Sequence, residues 1–521
     1  MITKLTDEND ILSPQFRKVV IEEILGLENS LRKMDSLKRY EIYKDMTKKW
    51  VIDSLKKEFS SKTVAQMENR ASNISICKKV VNKLAQAYVA GVERSAESKE
   101  DKDKVEYLAK LMDMNSKMSQ TDRIFQLHKN ALCQVVPEID YIESDKESPK
   151  YNLCVRPLRP HQYDVIEDAR NFEIPRVVIL TDFVQRKNGF DALGSSPGDG
   201  KDQVIADSPE DAGMNQQTFI WWSDSYHFTT DDKGVIIPSL SPIDNLNPIG
   251  LLPFVNFAES QDGQFWAQGG QDLVDGSILI NVLLTDMFGI ANAQGWGQMV
   301  VKGSNLPKEL DTGPHRSMIF EYNTGDPTPE VDFKSASPPL DMWMKMIEQY
   351  TALYLSTNNL SPATVAGKLD ATQFPSGIAM LIERAESTAD IQETQQMFKD
   401  KEKHVWNIVN KWLGVYSESK SLSQEFEDVG VMSEELEVEL KFLEPKAVSS
   451  EKEKLDALQV RKNLGISTMV DLIKIDNPDI SDDQAEEKLK KILEEKTLQV
   501  KKLMLNDQTQ PLPNDQPQPI E

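Results

Sequence analysis

The stretch QDLVDGSILINVLLTDMFGIANAQGW, Gln271 to Trp296, sets the reading of everything around it. It reads as one continuous helix of 26 residues, about 39 Å long at about 1.5 Å per residue. Apolar residues occur nearly all round it, with Asp272, Asp275, Asn281 and Asp286 interspersed. A helix of that kind needs neighbours on more than one side. Its most apolar run, ILINVLLTDMFGIANA, is interrupted by Asp286 and reads as too short to span a membrane.

Downstream, the period changes. QMVVKG, SMIFEYN and EVDFKS within residues 298–338 are short strand patterns separated by Pro, Gly and Asp. A second helix follows Pro338 and Pro339, with Leu340, Trp343, Met344, Ile347, Tyr350 and Tyr354 on one face. A loop at 359–376 comes next, then a long helix from Gly377 to about Leu413. Connections this long inside compact domains are uncommon and are usually functional. EELEVELKFLEP alternates apolar and charged residues, as a strand with one wet face does. Residues 447–505 read as a small helical unit with N-caps at Ser467 and Ser481. The Pro/Gln-rich stretch 506–521 cannot bury a core and is expected to be disordered.

Upstream, the first 135 residues read as helices. NISICKKVVNKLAQAYVAGV places Ile74, Cys77, Val81, Leu84 and Tyr88 at helical spacing, with Gly91 ending the pattern and the charged break ERSAESKEDKDK after it. From about 135 to 258 the texture is of short strands: NLCVRPL, IPRVVILTD, QTFIWWSDSYHFTT, GVIIPSL and, closing the part, NPIGLLPFVNF. The fold class expected is therefore α+β, and 521 residues suffice for two to four domains.

Composition excludes several functions. The formal net charge is −24, the wrong sign for a general nucleic-acid gripper. From Gly234 to Val301 there is no Lys or Arg; either burial accounts for this or a surface is kept free of positive charge. Three cysteines, Cys77, Cys133 and Cys154, without paired spacing fit a reducing compartment. The polar, acidic start MITKLTDENDILSPQ gives no expectation of a secretory signal. His128, His161, His227, His315 and His404 lie far apart, without zinc-site spacing. GSSPGDGKD, Gly194 to Asp202, superficially matches a phosphate-binding loop. Its glycine spacing is one residue too long, and Asp202 stands where a hydroxyl is needed. No catalytic residue, cofactor or metal is assigned.

Several stretches, in this order, resemble the portal (head-to-tail connector) proteins of tailed bacteriophages. ENRASNISICKKVVNKLAQAYVAGV is similar to that family's early Asn/Arg-rich helix, and NPIGLLPFVNF to its Gly-x-x-Pro-Phe-Val strand. PSGIAMLIERAE resembles the start of its long helix, and EVELKFLEPKAVSSEKEKLDALQVRKNLGISTMVDLI its strand followed by the crown turn. The resemblance covers about residues 65–500.

The resemblance implies a portal fold. Residues 1–270 with 377–446 correspond to the wing, 271–297 and 339–358 to two stem helices, and 298–338 to the clip. Residues 359–376 correspond to the tunnel loop and 447–505 to the crown. It implies a ring, usually of twelve subunits, at one capsid vertex, through which DNA is packaged and ejected. The partners implied are further copies of the chain, double-stranded DNA, the major capsid protein, the terminase large subunit and a head-tail adaptor. The implied location is the virion, after assembly in the host cytoplasm, with no membrane. Stem packing falls to Ile280, Leu284, Trp343 and Ile347, and the clip interface to Met318, Ile319 and Phe320. The tunnel loop would offer Lys368, Asp370, Thr372 and Gln373 to DNA, with Pro375, Ser376 and Gly377 as its hinge; a surface loop with an incidental lysine is the plainer alternative. A helical adaptor unrelated to phage, or a nucleotide-binding enzyme using the 194–202 loop, are the rival readings of the whole chain.

Overall fold

The computed structural model describes residues 5, 7–140, 142, 144, 149–185, 215–258, 263–266, 269–294, 298–302, 330–334, 339–360, 377–433, 436–443 and 488–491. The chain divides into two units, 1–444 and 445–521. In the second, the described residues 488–491 are helical. The stretches 447–505, expected as a small helical unit, and 506–521 otherwise lie outside the described residues.

The first unit mixes helices with antiparallel sheets, an α+β architecture. Its N-terminal helices are α1 (Pro14–Leu25), α2 (Leu27–Tyr43), α3 (Thr47–Glu58), α4 (Ser61–Glu68) and α5 (Ile76–Leu84). Strand β1 (Val92–Ala96), α6 (Lys99–Leu111) and α7 (Met114–His128) follow. The strand-rich part holds β2 (Asn130–Ile139), β3 (Tyr151–Leu158), β4 (Tyr163–Glu167), β5 (Pro175–Gln185), β6 (Asn215–Trp222), β7 (His227–Thr230) and β8 (Phe254–Ala258). Then come α8 (Gln271–Gln294), β9 (Gln298–Lys302), β10 (Glu330–Lys334), α9 (Leu340–Ser356), α10 (Gly377–Glu418) and β11 (Val438–Phe442). The sheets have orders β3-β2-β8, β4-β5-β6-β7, β1-β11 and β9-β10.

Three apolar cores hold these elements. The largest lies between the β3-β2-β8 sheet, α6, α7 and α10, where Phe398, Trp406 and Trp412 are fully buried. Trp412 Nε1 donates to Val135 O at 2.9 Å, so the long helix is fixed to the sheet by a polar bond as well as by area. A second core packs α1 against the four-stranded sheet. There the buried Arg17 guanidinium donates to Gly234 O at 2.7 Å and to Ile11 O at 2.9 Å. The third core joins α2–α5 to α8 and α9.

Several expectations are corrected. The helix over 74–91 stops at Leu84, and Tyr88 lies outside it. Tertiary partners take over: the Ala87 N–H donates to Asp122, and the Tyr88 hydroxyl donates to Glu402. The charged stretch after Gly91 is β1 and α6, because Ser98 caps α6 by accepting from Asp101 N–H. QTFIWWSDSYHFTT is two strands joined by a turn at Ser223–Tyr226. GVIIPSL is no strand: Ile236 makes a single bridge to Thr230, and Pro238, which lacks an N–H, opens a short 3-10 turn. The long helix runs past Gly414 to Glu418, because Tyr416 finds packing against Tyr151 and Trp412.

The apolar run in α8 is also longer than expected. Over Gln271–Asn292 the helix is long and apolar enough to cross a membrane, with mean hydropathy 1.6. Its surroundings are those of a core helix: half of that stretch is buried inside the protein, and the buried Asn281 and Thr285 are hydrogen-bonded to the segment before α5. The neighbours that an all-round apolar helix requires come in large part from α3, α5 and α9 of the same chain.

Candidate functional site

The stretch from α8 to α9 forms the candidate site, a helix pair carrying a small sheet. The helices are antiparallel: Tyr354, near the end of α9, touches Gly276 near the start of α8, and its hydroxyl donates to Leu273 O at 2.9 Å. Burial pushes the Tyr354 phenol well up, so it remains a neutral donor. Beyond the other end of the pair, β9 and β10 run antiparallel, Gln298 opposite Lys334 and Lys302 opposite Glu330.

Ile280 and Ile347 are buried in the core shared by the two helices, and Leu284 and Trp343 pack against it. The four residues assigned to stem packing are therefore brought together in one cluster. A different side of α8 is fixed by polar bonds. Asn281 Oδ1 accepts from Ser72 Oγ at 2.7 Å and from Ile74 N–H at 2.8 Å, while its amide donates to Ile74 O at 3.0 Å. Thr285 Oγ1 accepts from Ser72 N–H at 2.9 Å. The side-chain polar groups of Ser72, Asn281 and Thr285 in this contact are all paired, though the buried Ser277 Oγ beside them is not, and the paired groups specify register as well as affinity.

Outward, α9 leaves Met342, Met346 and Leu353 exposed at 66%, 43% and 62%. Their spacing of four and seven puts them on one stripe. They form an exposed apolar row on the helix surface.

The root of the 359–376 loop is described at Asn359 and Leu360. Asn359 has φ +52°, the left-handed conformation that Asn tolerates, and its side-chain amide donates to Asp390 on α10 at 2.7 Å. Leu360 is buried. A cavity of about 390 Å³ beside this root is lined by Lys83, Lys129, Asn358, Asn359, Asp390 and Glu393, among others. Lys368, Asp370, Thr372, Gln373, Pro375 and Ser376 lie outside the described residues, as do Met318, Ile319 and Phe320 of the clip and the 194–202 loop. Gly377 opens α10.

Two polar clusters escaped the sequence reading. Glu402 on α10 is fully buried and accepts from Arg94 Nε and Tyr88 Oη, both at 2.6 Å, and from Trp406 Nε1 at 3.2 Å. It ties β1 to the long helix. Ser36 on α2 stands between His161 Nδ1 at 3.1 Å and His128 Nδ1 at 3.5 Å. Burial and the guanidinium of Arg159 push His161 down to about 4, and burial beside Arg39 holds His128 well below its usual range. Ser36 is itself buried and His128 Nε2 has no partner, so this is a packed polar contact between α2 and the body. Among the described residues, no group of three or more His, Cys, Asp or Glu side chains is placed to hold a metal. No protein-family model matches this chain, and no curated protein matches it.

Proposed function

We propose that this chain is the ring-forming portal subunit of a tailed bacteriophage, a conduit through which double-stranded DNA is packaged and ejected. One observation carries the reading: the excursion α8–β9–β10–α9. It leaves the body after β8 as an antiparallel helix pair bearing a two-stranded sheet, and is followed by α10 and then β11, which pairs with β1 of the N-terminal part. That order matches the stem, clip, long helix and wing strand implied by the sequence resemblance.

The chemistry agrees with the role. A conduit must let a polyanion slide, and copies that each carry −24 repel DNA on average. The exposed row on α9 supplies apolar surface for a neighbour, as a closed ring requires. Docking of the terminase large subunit and then of a head-tail adaptor falls to the clip; the wing meets the major capsid protein at the vertex.

Particle mass and shape test the proposal. Purified full chain should give a particle of about 0.7 MDa, twelve copies of 59.0 kDa, with a central hole in negative stain. A monomer or dimer under all conditions refutes it and favours the helical-adaptor reading.

A further inference from the structure

Charge is distributed unevenly along this acidic chain. Arg32 to Lys83, most of α2 with α3–α5, holds 14 Lys and Arg against 6 Asp and Glu, a formal +8. On α3, Val51 and Leu55 are buried in the core shared with α8, and the helical spacing sends Lys49 and Lys56 to the opposite side. Lys57 and Lys62 flank the short turn into α4; both are exposed, and neither makes an ion pair among the described residues.

The stretch without Lys or Arg offers the complement. On α8, Asp272, Leu279 and Asp286 recur every seven residues and share one stripe. Gly276, against Tyr354, borders that stripe between Asp272 and Leu279, while Asn281 and Thr285 lie on another side. Asp272 and Leu279 are exposed. Asp286 Oδ1 has no hydrogen-bond partner, and partial burial with Glu58 nearby raises its carboxyl above the usual range. A cation from the same chain reaches the neighbouring Asp275, where Lys38 Nζ stands at 2.9 Å.

We infer that the basic α3–α4 surface of one copy docks on the Asp272–Leu279–Asp286 stripe of the next, forming an electrostatic seam between ring neighbours. This rests on the ring reading above and names the surfaces that meet. Copies of like charge repel, so a contact between them must be locally attractive. A head-to-tail contact needs two different, complementary patches on each copy, and these two are different and opposite in sign. Nucleic acid is the other polyanion that could meet the lysines, but the residues outside Arg32–Lys83 carry −32 and would repel it.

Two charge-reversed full-length variants test the seam. One carries Lys56→Glu, Lys57→Glu and Lys62→Glu; the other carries Asp272→Lys and Asp286→Lys. Each alone presents like charges at every contact, and its ring fraction by mass photometry should fall at least about tenfold. Mixed in equal amounts, the two should restore rings, because alternating copies again present opposite charges. Restoration is a gain that a misfolded variant cannot produce. The milder set Lys56→Gln, Lys57→Gln and Lys62→Gln should also lower the ring fraction. Wild-type ring fractions from the Gln set or from either reversed variant overturn the seam, as does a mixture of folded variants that stays small. Normal rings with reduced DNA binding in the lysine variants would assign that surface to nucleic acid and overturn it as well. A wild-type chain that never forms rings refutes the portal reading itself, a distinguishable failure.

Discussion

Tyr354 occupies the space that a side chain at Gly276 would need. A Cβ built at Gly276 would lie 2.4 Å from Tyr354 Cδ2, far inside contact distance. The tyrosine cannot simply swing away, because its hydroxyl is held on Leu273 O. Glycine inside a helix costs about 1 kcal/mol relative to alanine. Overpacking typically costs about 1–3 kcal/mol. Gly276→Ala should therefore destabilise the chain by about 1–2 kcal/mol net, read as a lower denaturation midpoint. Gly276→Ala combined with Tyr354→Leu should recover part of the loss. A stabilised single variant would show that the α8–α9 contact is looser than described.

Ile280 and Ile347 sit together in the core between α8 and α9. An aspartate at either place would be an unpaired charge in an apolar seam, costing several kcal/mol. Ile280→Asp and Ile347→Asp should each abolish ring assembly while Ile280→Val leaves it intact. Normal rings from both aspartate variants would remove the stem role.

Arg94 and Glu402 form a buried ion pair at 2.6 Å. Arg94→Met leaves Glu402 buried with only Tyr88 and Trp406 as donors, and breaking such a pair costs about 3–5 kcal/mol. The double replacement of Arg94 by Met and Glu402 by Leu should cost less than Arg94→Met alone. Equal losses in a urea titration would mean that the pair is not coupled.

Asp122 gives a pH signature. Burial pushes its carboxyl up to about 7, against the lowering effects of the Ala87 N–H and Gln126. Its folded-state pKa lies above the unfolded value, so the native state binds the extra proton. Its contribution is fully present at low pH and lost as pH rises towards about 7. Asp122→Asn should therefore gain on wild type as pH increases from about 4 to 7, by up to about 1.4 kcal/mol per pH unit. The histidines His128 and His161 act in the opposite sense and cancel in this comparison. A difference that does not change with pH would contradict the shift.

The tunnel loop can be tested without a structure. Lys368→Glu, and separately a deletion of 364–373, should assemble normally yet retain or package DNA poorly. Wild-type packaging in both would leave 359–376 as a plain connector.

Periodicity in the sequence located the helices at α8, α9 and α10 and the alternating strand β11, whose burial alternates as its charges do. β11 announces itself because its buried residues lie along one face, and α8 because it is a long, nearly unbroken apolar run. The break after Leu84 could not be read, because the groups that end the helix, Asp122 and Glu402, lie 35 and 314 residues away from their partners. The same holds for Asn281, which reads as a polar interruption of an apolar helix until Ser72 and Ile74 are placed against it. Polar specificity is written in pairs across the chain, and one sequence shows only one member at a time.

The β1–β11 ladder sets Val92 opposite Phe442 and Ala96 opposite Val438. A two-stranded sheet whose halves are separated by about 350 residues carries a large loop-closure entropy. It cannot nucleate folding, and contacts of such long range form slowly. During synthesis β1 therefore waits, edge exposed, until nearly the whole body has left the ribosome. The helix pair between the strands closes a much smaller loop, Tyr354 lying 81 residues from its partner Leu273, and can order first. A chain stalled before residue 438 should accordingly keep its α8–α9 contact but leave β1 open to proteolysis and to pairing with other nascent chains.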